Sequence, residues 1–467
     1  MYNQHQQQPP YGAPPPQQPY GGQQQQYNQQ PYGAPLQPGG YGASAPAQGG
    51  YGGYIQGGFG APPPQQQPYG APQQSYGGPQ PPYGAPPQTY GAPQQSFGGP
   101  QPPYGAPQQS YGIPQQSYAA TQQPYGAPPP PSASGPRFLG VPIPPPPPAV
   151  PISTLSGYNP QFDAERIRKA TKGFGTDERT LIDVLAPLDA FQVDVLSRTY
   201  EQMVGKSLKV TLEKELSSWL ELTLVLCSLG PLACDIHLLH RACAGAGTHE
   251  DLLTELLLSR TNEEIFLLKE GYKRVHGKDL VAVVRGELSM KTERLFNMAL
   301  SGTRDENPFV NQQLVQQDVE ALYRAGPGKV GTDEIAICGI LCSRSNEHLA
   351  AIAHQFPSRH RVTLSHMIAS EFSGHMKDAL LYIAEGVEAD GTGVTRDAKM
   401  LEHAMAGAGT KDERLVYRIV RAHWNRPRFN AIKGQFEALY HHSLKRRVEG
   451  ETTGKYEKAL VGIIEQN

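Results

Sequence analysis

Before residue 156 the 467-residue sequence contains no aspartate, no glutamate and no lysine, and Arg137 is its one formal charge. The same stretch is poor in aliphatic side chains, while it holds 16 of the 24 tyrosines, most of the prolines and long glutamine runs. Without apolar surface to bury, such a segment cannot offset the entropy of ordering its backbone, so residues 1–155 are expected to stay disordered. Its irregular unit "PYGAP" with "QQ" spacers suits either a solvated spacer or an arm making many weak contacts, for self-association, condensation or recruitment of small EF-hand adaptor proteins. The run "VPIPPPPPAVP" (Val141 to Pro151) reads as stiff polyproline II setting the arm off from the rest of the chain.

Other absences narrow the function. Cysteine is scarce: Cys227, Cys234, Cys243, Cys338 and Cys342 sit singly in apolar helical patterns, an odd count without a disulfide framework, which points to reduced thiols in a cytoplasmic protein. Cys338 and Cys342 lack the partner pair a zinc site needs. The N-terminus has no apolar signal-peptide core, and no stretch reaches the ~20 apolar residues that span a bilayer, so any membrane contact is expected to be peripheral. Positive charge is missing too. From residue 156 onward 39 Lys and Arg face 42 Asp and Glu, which argues against gripping nucleic acid or anionic lipid through the protein's own field. No nucleophile, base and orienter stand in a recognisable pattern, so no enzyme is expected; "HHSLKRR" (His441 to Arg447) reads as a solvated helix face.

The remaining sequence repeats. "KGFGTDE" around Gly173 recurs as "AGAGTHED" around Gly245, "GKVGTDEI" around Gly331 and "AGAGTKDE" around Gly407. The threonines are Thr176, Thr248, Thr332 and Thr410, at intervals of 72, 84 and 78 residues, a period that demands a repeat architecture. Five, six, nine and ten residues after each threonine the side chains are apolar with few exceptions: Leu181, Ile182, Leu185 and Ala186 in the first copy, Leu415, Val416, Ile419 and Val420 in the fourth. That spacing is one stripe on an α-helix. A second apolar-periodic segment comes later in each copy, as in Met376, Ala379, Leu380 and Ile383. The fold class is therefore all-α, with four units of about five short helices each: 156–228, 229–303, 304–388 and 389–467. Within each loop, Thr is a good N-cap, and acids in the first turn suit the helix dipole.

A helix start does not explain a paired acid at a fixed distance. Glu215, Glu287 and Glu371 each lie 39 residues beyond their threonine; Glu451 lies 41 beyond Thr410, implying a two-residue insertion near "HWNRPRF". Glycines let successive carbonyls turn toward one point. A hard cation such as Ca²⁺ accepts about six to eight oxygens, carbonyls and a bidentate carboxylate among them. One loop and one carboxylate leave positions open that a lipid phosphate can fill, and the ion would then supply the positive charge the protein lacks. EF-hand loops are excluded, because no D-x-D-x-D-G ladder occurs.

Four loops of the G-x-G-T type, the third reading K-V-G-T, each with an acid 39 to 41 residues beyond its threonine, resemble the annexin family, Ca²⁺-dependent phospholipid-binding proteins, over roughly Ser156 to Asn467. The third copy, "RAGPGKVGTDE", has the family's longer loop, and the Tyr/Gly/Pro/Gln arm resembles those of long-tailed members. The resemblance implies a curved disc with its loops on a convex, membrane-facing side. It further implies these Ca²⁺ ligands: carbonyls of Thr171, Gly173 and Gly175 with Glu215; of Cys243, Gly245 and Gly247 with Glu287; of Gly326, Lys329 and Gly331 with Glu371; and of Met405, Gly407 and Gly409 with Glu451. The implied partner is an anionic phospholipid membrane, bound when Ca²⁺ rises. Two departures stand out. The family's turn arginine is kept at Arg260 and Arg344 but not in "LAPLDA" or "RAHWNR", and Val330 replaces a larger loop-tip residue, implying shallow insertion there.

Overall fold

The computed structural model describes residues 135–145 and 155–466, residue 246 excepted. All fall within one compact unit, Gly112–Asn467. The expectations for the arm before residue 135, including its adaptor-binding and self-associating roles, lie outside the described residues.

Among the described residues twenty helices succeed one another in four sets of five. The first set is α1 (Pro160–Ala170), α2 (Glu178–Leu185), α3 (Ala190–Val204), α4 (Leu208–Glu215) and α5 (Ser218–Leu229). The second is α6 (Pro231–Ala242), α7 (Glu250–Leu257), α8 (Asn262–His276), α9 (Leu280–Glu287) and α10 (Met290–Leu300). The third is α11 (Gln312–Ala325), α12 (Glu334–Ser343), α13 (Asn346–His360), α14 (Leu364–Glu371) and α15 (Gly374–Glu388). The fourth is α16 (Val394–Met405), α17 (Asp412–His423), α18 (Arg426–Tyr440), α19 (Leu444–Glu451) and α20 (Gly454–Ile464). The stripes read from spacing are the buried ones: Leu181, Ile182 and Leu185 in α2 with Ala186 at its C-cap, and Leu415, Val416, Ile419 and Val420 in α17, are all in the core. The extra two residues of the fourth copy lie where expected, since α17 runs on to His423 and α18 starts two residues later relative to its loop than α3, α8 or α13 do.

Buried charge ties the second set to the fourth. Asp235 on α6 is fully buried and accepts from Arg260 Nη2 at 2.6 Å and from Arg421 Nε of α17 at 2.9 Å. Glu255 on α7 accepts from the Tyr417 hydroxyl at 2.7 Å and from Arg418 Nε at 3.1 Å. A carboxylate removed from water is tolerated only with such partners. The arginines missing from "LAPLDA" and "RAHWNR" are handled locally. Arg344 pairs with Asp318 at 2.7 Å, whereas the corresponding acid of the fourth set, Asp397, takes Arg428 at 2.9 Å, and that of the first, Asp163, takes Arg166 at 3.0 Å.

One stretch of the expected disordered arm is ordered. Arg137–Phe138 (β1) and Val141–Pro142 (β2) form a small antiparallel hairpin, so Val141 and Pro142 are strand rather than polyproline II. The hairpin is held by the body. Phe138 is fully buried with the Arg260 guanidinium 5.3 Å from its ring centre, and Ile143 is buried nearby. Leu139 N donates to Glu264 Oε1 at 2.6 Å, and Asn425 Nδ2 donates to Leu139 O at 3.1 Å. Gly140 has φ +76°, and a Cβ there would meet Asn425 Nδ2 at 2.9 Å, so both conformation and space require glycine. Composition failed here because the stabilising surface belongs to residues more than a hundred positions away.

Candidate metal centres

Each repeated glycine loop joins the first helix of a set to the second, and one backbone bond closes it. Asp177 N donates to Ala170 O at 2.9 Å, His249 N to Ala242 O at 3.0 Å, Asp333 N to Ala325 O at 2.6 Å and Lys411 N to Ala404 O at 2.8 Å. Between these clamps the chain turns through left-handed glycines, Gly173 (φ +113°) and Gly175 (+82°) in the first loop, Gly407 (+101°) and Gly409 (+82°) in the fourth. An L side chain there would be strained, which explains the residue type at these positions.

The threonines do not cap the helices. Asp177 caps α2 by accepting from Thr180 N at 3.2 Å, and Asp333 caps α12 by accepting from Ala336 N at 3.1 Å. His249 and Lys411 stand at the same place without a side-chain cap bond. The threonine hydroxyls are spent on the distant glutamates instead. Thr176 Oγ1 donates to Glu215 Oε2 at 3.1 Å, Thr248 to Glu287 at 2.6 Å, Thr332 to Glu371 at 2.5 Å and Thr410 to Glu451 at 3.1 Å. All four expected pairings of loop and acid are therefore formed, the fourth despite its longer interval.

Each glutamate is the last residue of an eight-residue helix: α4, α9, α14 and α19. A carboxylate at a helix C-terminus faces the negative end of the dipole, which disfavours its charge. Among the described residues no cation pairs with Glu215, Glu287 or Glu371. Three loops thus present a glycine-shaped carbonyl turn beside an uncompensated carboxylate, a donor set that fits Ca²⁺. In the third, the backbone and acid approach closely, since a Cβ on Gly326 would lie 3.3 Å from Glu371 Cγ. Gly326 O also accepts a long bond from Lys329 N at 3.3 Å, while the Lys329 ammonium points to Asp333 at 3.7 Å. The fourth loop differs: Arg447 donates to both Glu451 and Met405 O.

The cysteine thiols are held protonated by burial. Burial pushes the Cys227, Cys338 and Cys342 thiols up to about 12; burial, with the Glu287 charge adding to it, does the same to Cys243. Among the described residues no three His, Cys, Asp or Glu side chains cluster to hold a metal.

The Annexin family model matches four segments, 162–226, 235–298, 317–383 and 396–463, one in each set of five helices. The chain is an annexin. Annexin C1 of Cryptococcus neoformans var. grubii is 77% identical over 330 residues, covering 71% of this chain and 70% of that one. Annexin A11 of Oryctolagus cuniculus is 35% identical over 318 residues, covering 68% of this chain and 62% of its own. Among solved structures, a mutant of annexin A8 with an intact N-terminus (32% identical, TM-score 0.63) covers 67% of this chain and is itself covered to 97%. Chicken annexin V in complex with Zn²⁺ (30% identical, TM-score 0.61) covers 68% of this chain and is covered to 98%. Calcium-bound annexin (Sm)1, at 23% identity and TM-score 0.57, shares the fold, covering 67% of this chain with 92% of its own length. This annexin therefore has the four-repeat disc of a family that binds phospholipid membranes in a Ca²⁺-dependent way. Among its described residues no helix is long and apolar enough to cross a membrane.

Two features of the site escaped the sequence reading. The threonines are positioning residues for the glutamates, a role their fixed interval could have suggested. Phe174, at the tip of the first loop, is fully exposed, as is Val330 in the third. Of the two tips the first carries the larger apolar side chain.

Proposed function

We propose that this annexin is a non-enzymatic, Ca²⁺-regulated cytoplasmic protein that binds anionic phospholipid through ions held at its loops. The ligands would be the carbonyls of Thr171, Gly173 and Gly175 with Glu215, those of Cys243, Gly245 and Gly247 with Glu287, and those of Gly326, Lys329 and Gly331 with Glu371. A lipid phosphate oxygen would complete each ion on its outer side. What supports this is a repeated relationship: a carboxylate at the unfavourable end of its helix, fixed by a loop threonine and paired with no cation, in three of four repeats. Bound Ca²⁺ supplies the charge that the helix end and the net acidity both lack. Val330 and Phe174 would meet the headgroup region beside the ions. The Tyr/Gln-rich arm would serve self-association or adaptor recruitment once the body is on the membrane. Full-length protein should cosediment with phosphatidylserine-containing vesicles in Ca²⁺ and be released by chelator; binding that survives chelation, or no binding with Ca²⁺ present, overturns the assignment.

A further inference from the structure

The fourth loop carries the family's residue pattern, yet an arginine already contacts two of its expected ligands, Glu451 and Met405 O. Arg447 lies one helical turn before Glu451 on α19, and its Nη1 donates to Glu451 Oε1. Thr410 holds the other oxygen, Oε2, at 3.1 Å, so both oxygens of that carboxylate are engaged. The same guanidinium reaches the loop itself: Nη2 donates to Met405 O at 2.7 Å, the first carbonyl of the expected ligand set. Two further N–H groups go to Glu402 of α16, with Nε–Oε2 at 3.1 Å and Nη2–Oε1 at 3.2 Å. Arg447 and Glu402 are mostly shielded from solvent, with side-chain exposures of 21% and 16%.

The other repeats show what is special here. The residue four positions before the glutamate is Thr211 in the first, Val283 in the second and Met367 in the third, none charged. The position of Glu402, three before the first loop ligand, holds Arg168, His240 and Tyr323. Only the fourth repeat carries both an arginine at the first place and an acid at the second. The fork of a guanidinium suits two carboxylates and a carbonyl at once, and it also neutralises the charge that Glu451 places on a helix C-terminus.

We propose that Arg447 is a resident cation substituting for Ca²⁺ in the fourth repeat, so that this loop is held in shape without metal and takes none up. Ca²⁺ could take both oxygens of Glu451 together with Met405 O only by displacing the arginine from them, because a guanidinium at contact distance from the same oxygens repels the ion and blocks bidentate binding. Glu402 clamps the arginine and is a positioning residue. The proposal rests on the ligand assignment made above for the other three repeats, but its test does not depend on theirs.

Ca²⁺ stoichiometry on full-length protein with phosphatidylserine vesicles, measured by equilibrium dialysis, distinguishes the cases. Wild type is expected to lose no bound Ca²⁺ on Glu451→Gln, whereas Arg447→Met is expected to gain one ion per chain, and Glu451→Gln in that background to abolish the gain. Loss of one ion on Glu451→Gln in wild type overturns the proposal, and so does failure of a folded Arg447→Met variant to gain one. Should Arg447→Met not fold, Arg447→Gln and the single Glu451→Gln variant carry the same test. A wild type binding no Ca²⁺ while Arg447→Met binds one would overturn the assignment for repeats one to three and support this one; no binding in either overturns both.

Discussion

Thr332 Oγ1 lies 2.5 Å from Glu371 Oε2, joining a loop to the end of a helix 39 residues later. The bond recurs in every repeat, so the threonine sets the carboxylate's position before any ion arrives. Thr332→Val keeps the side chain's volume and removes the donor. The Ca²⁺ concentration for half-maximal vesicle binding is expected to rise roughly tenfold, the usual range for a group that orients a metal ligand, with the melting temperature little changed. A vesicle titration against Ca²⁺ checks it; an unchanged midpoint would leave the threonine with a merely structural role.

Direct ligands should matter more than their positioners. Glu215→Gln, Glu287→Gln and Glu371→Gln each keep the hydrogen-bonding shape and remove the charge, and combining the three is expected to abolish Ca²⁺-dependent cosedimentation. Each single change should shift the Ca²⁺ midpoint by several-fold without unfolding the protein, and circular dichroism of the triple variant supplies that control.

Phe174 is fully exposed at the tip of the first loop and sits between two left-handed glycines. Phe174→Ser leaves the carbonyls in place, so Ca²⁺ uptake without lipid should not change. Vesicle affinity at saturating Ca²⁺ should fall about tenfold, corresponding to partial burial of one aromatic side chain. Equal effects on both measurements would place Phe174 in loop folding rather than in membrane contact.

Asp235 accepts from Arg260 and Arg421 while fully buried. Asp235→Ala removes the buried carboxylate shared by two arginines, leaving Arg260 with Leu256 O and Glu264 and Arg421 with Glu255 O, and a loss of ~3–5 kcal/mol in urea unfolding is expected. A loss under about 1 kcal/mol would mean that the remaining acceptors, Leu256 O, Glu264 and Glu255 O, suffice for the two guanidinium groups.

His423 gives the fold an acid limit. Burial, with Arg426 adding to it, pushes its imidazole from 6.5 down to about 4, and its Nε2–H donates to Leu188 O at 3.0 Å. The unfolded chain binds a proton near pH 6.5 that the folded chain refuses until about 4. Stability is therefore full above about pH 6.5 and falls as the pH drops toward about 4, by up to ~3 kcal/mol from this residue. His423→Gln should flatten that part of the slope in melting curves recorded from about pH 7 to about pH 4; His237, also pushed to about 4 by burial, keeps the remainder.

The repeats, their five-helix make-up and the pairing of each loop with a distant acid could all be read in the sequence, because each rests on spacing, and spacing survives in a single chain. What could not be read rests on which of two chemistries a residue chooses. A threonine before a helix is a good cap, yet here an adjacent aspartate caps two of the helices and the hydroxyl goes to the glutamate. "HHSLKRR" has the look of a solvated helix face, and for Arg447 that expectation is wrong, since it is largely shielded and reaches Glu402 on a helix 45 residues earlier as well as Glu451 on its own. The cue was available: it is the one cation found four residues before a repeat's glutamate.

The hairpin at Arg137–Pro142 decides where the protein can be divided. A cut at residue 155, the place composition suggests, would strip Phe138 from its slot, take the Leu139 backbone from Glu264 Oε1 and Asn425 Nδ2, and yield a body destabilised for reasons unrelated to the arm. Any comparison of long and short forms belongs at residue 134, so that the tyrosine-rich segment is removed and the anchor stays. By the same logic, a force applied to the arm reaches the body first through the second and fourth repeats, where Leu139 is held from both sides.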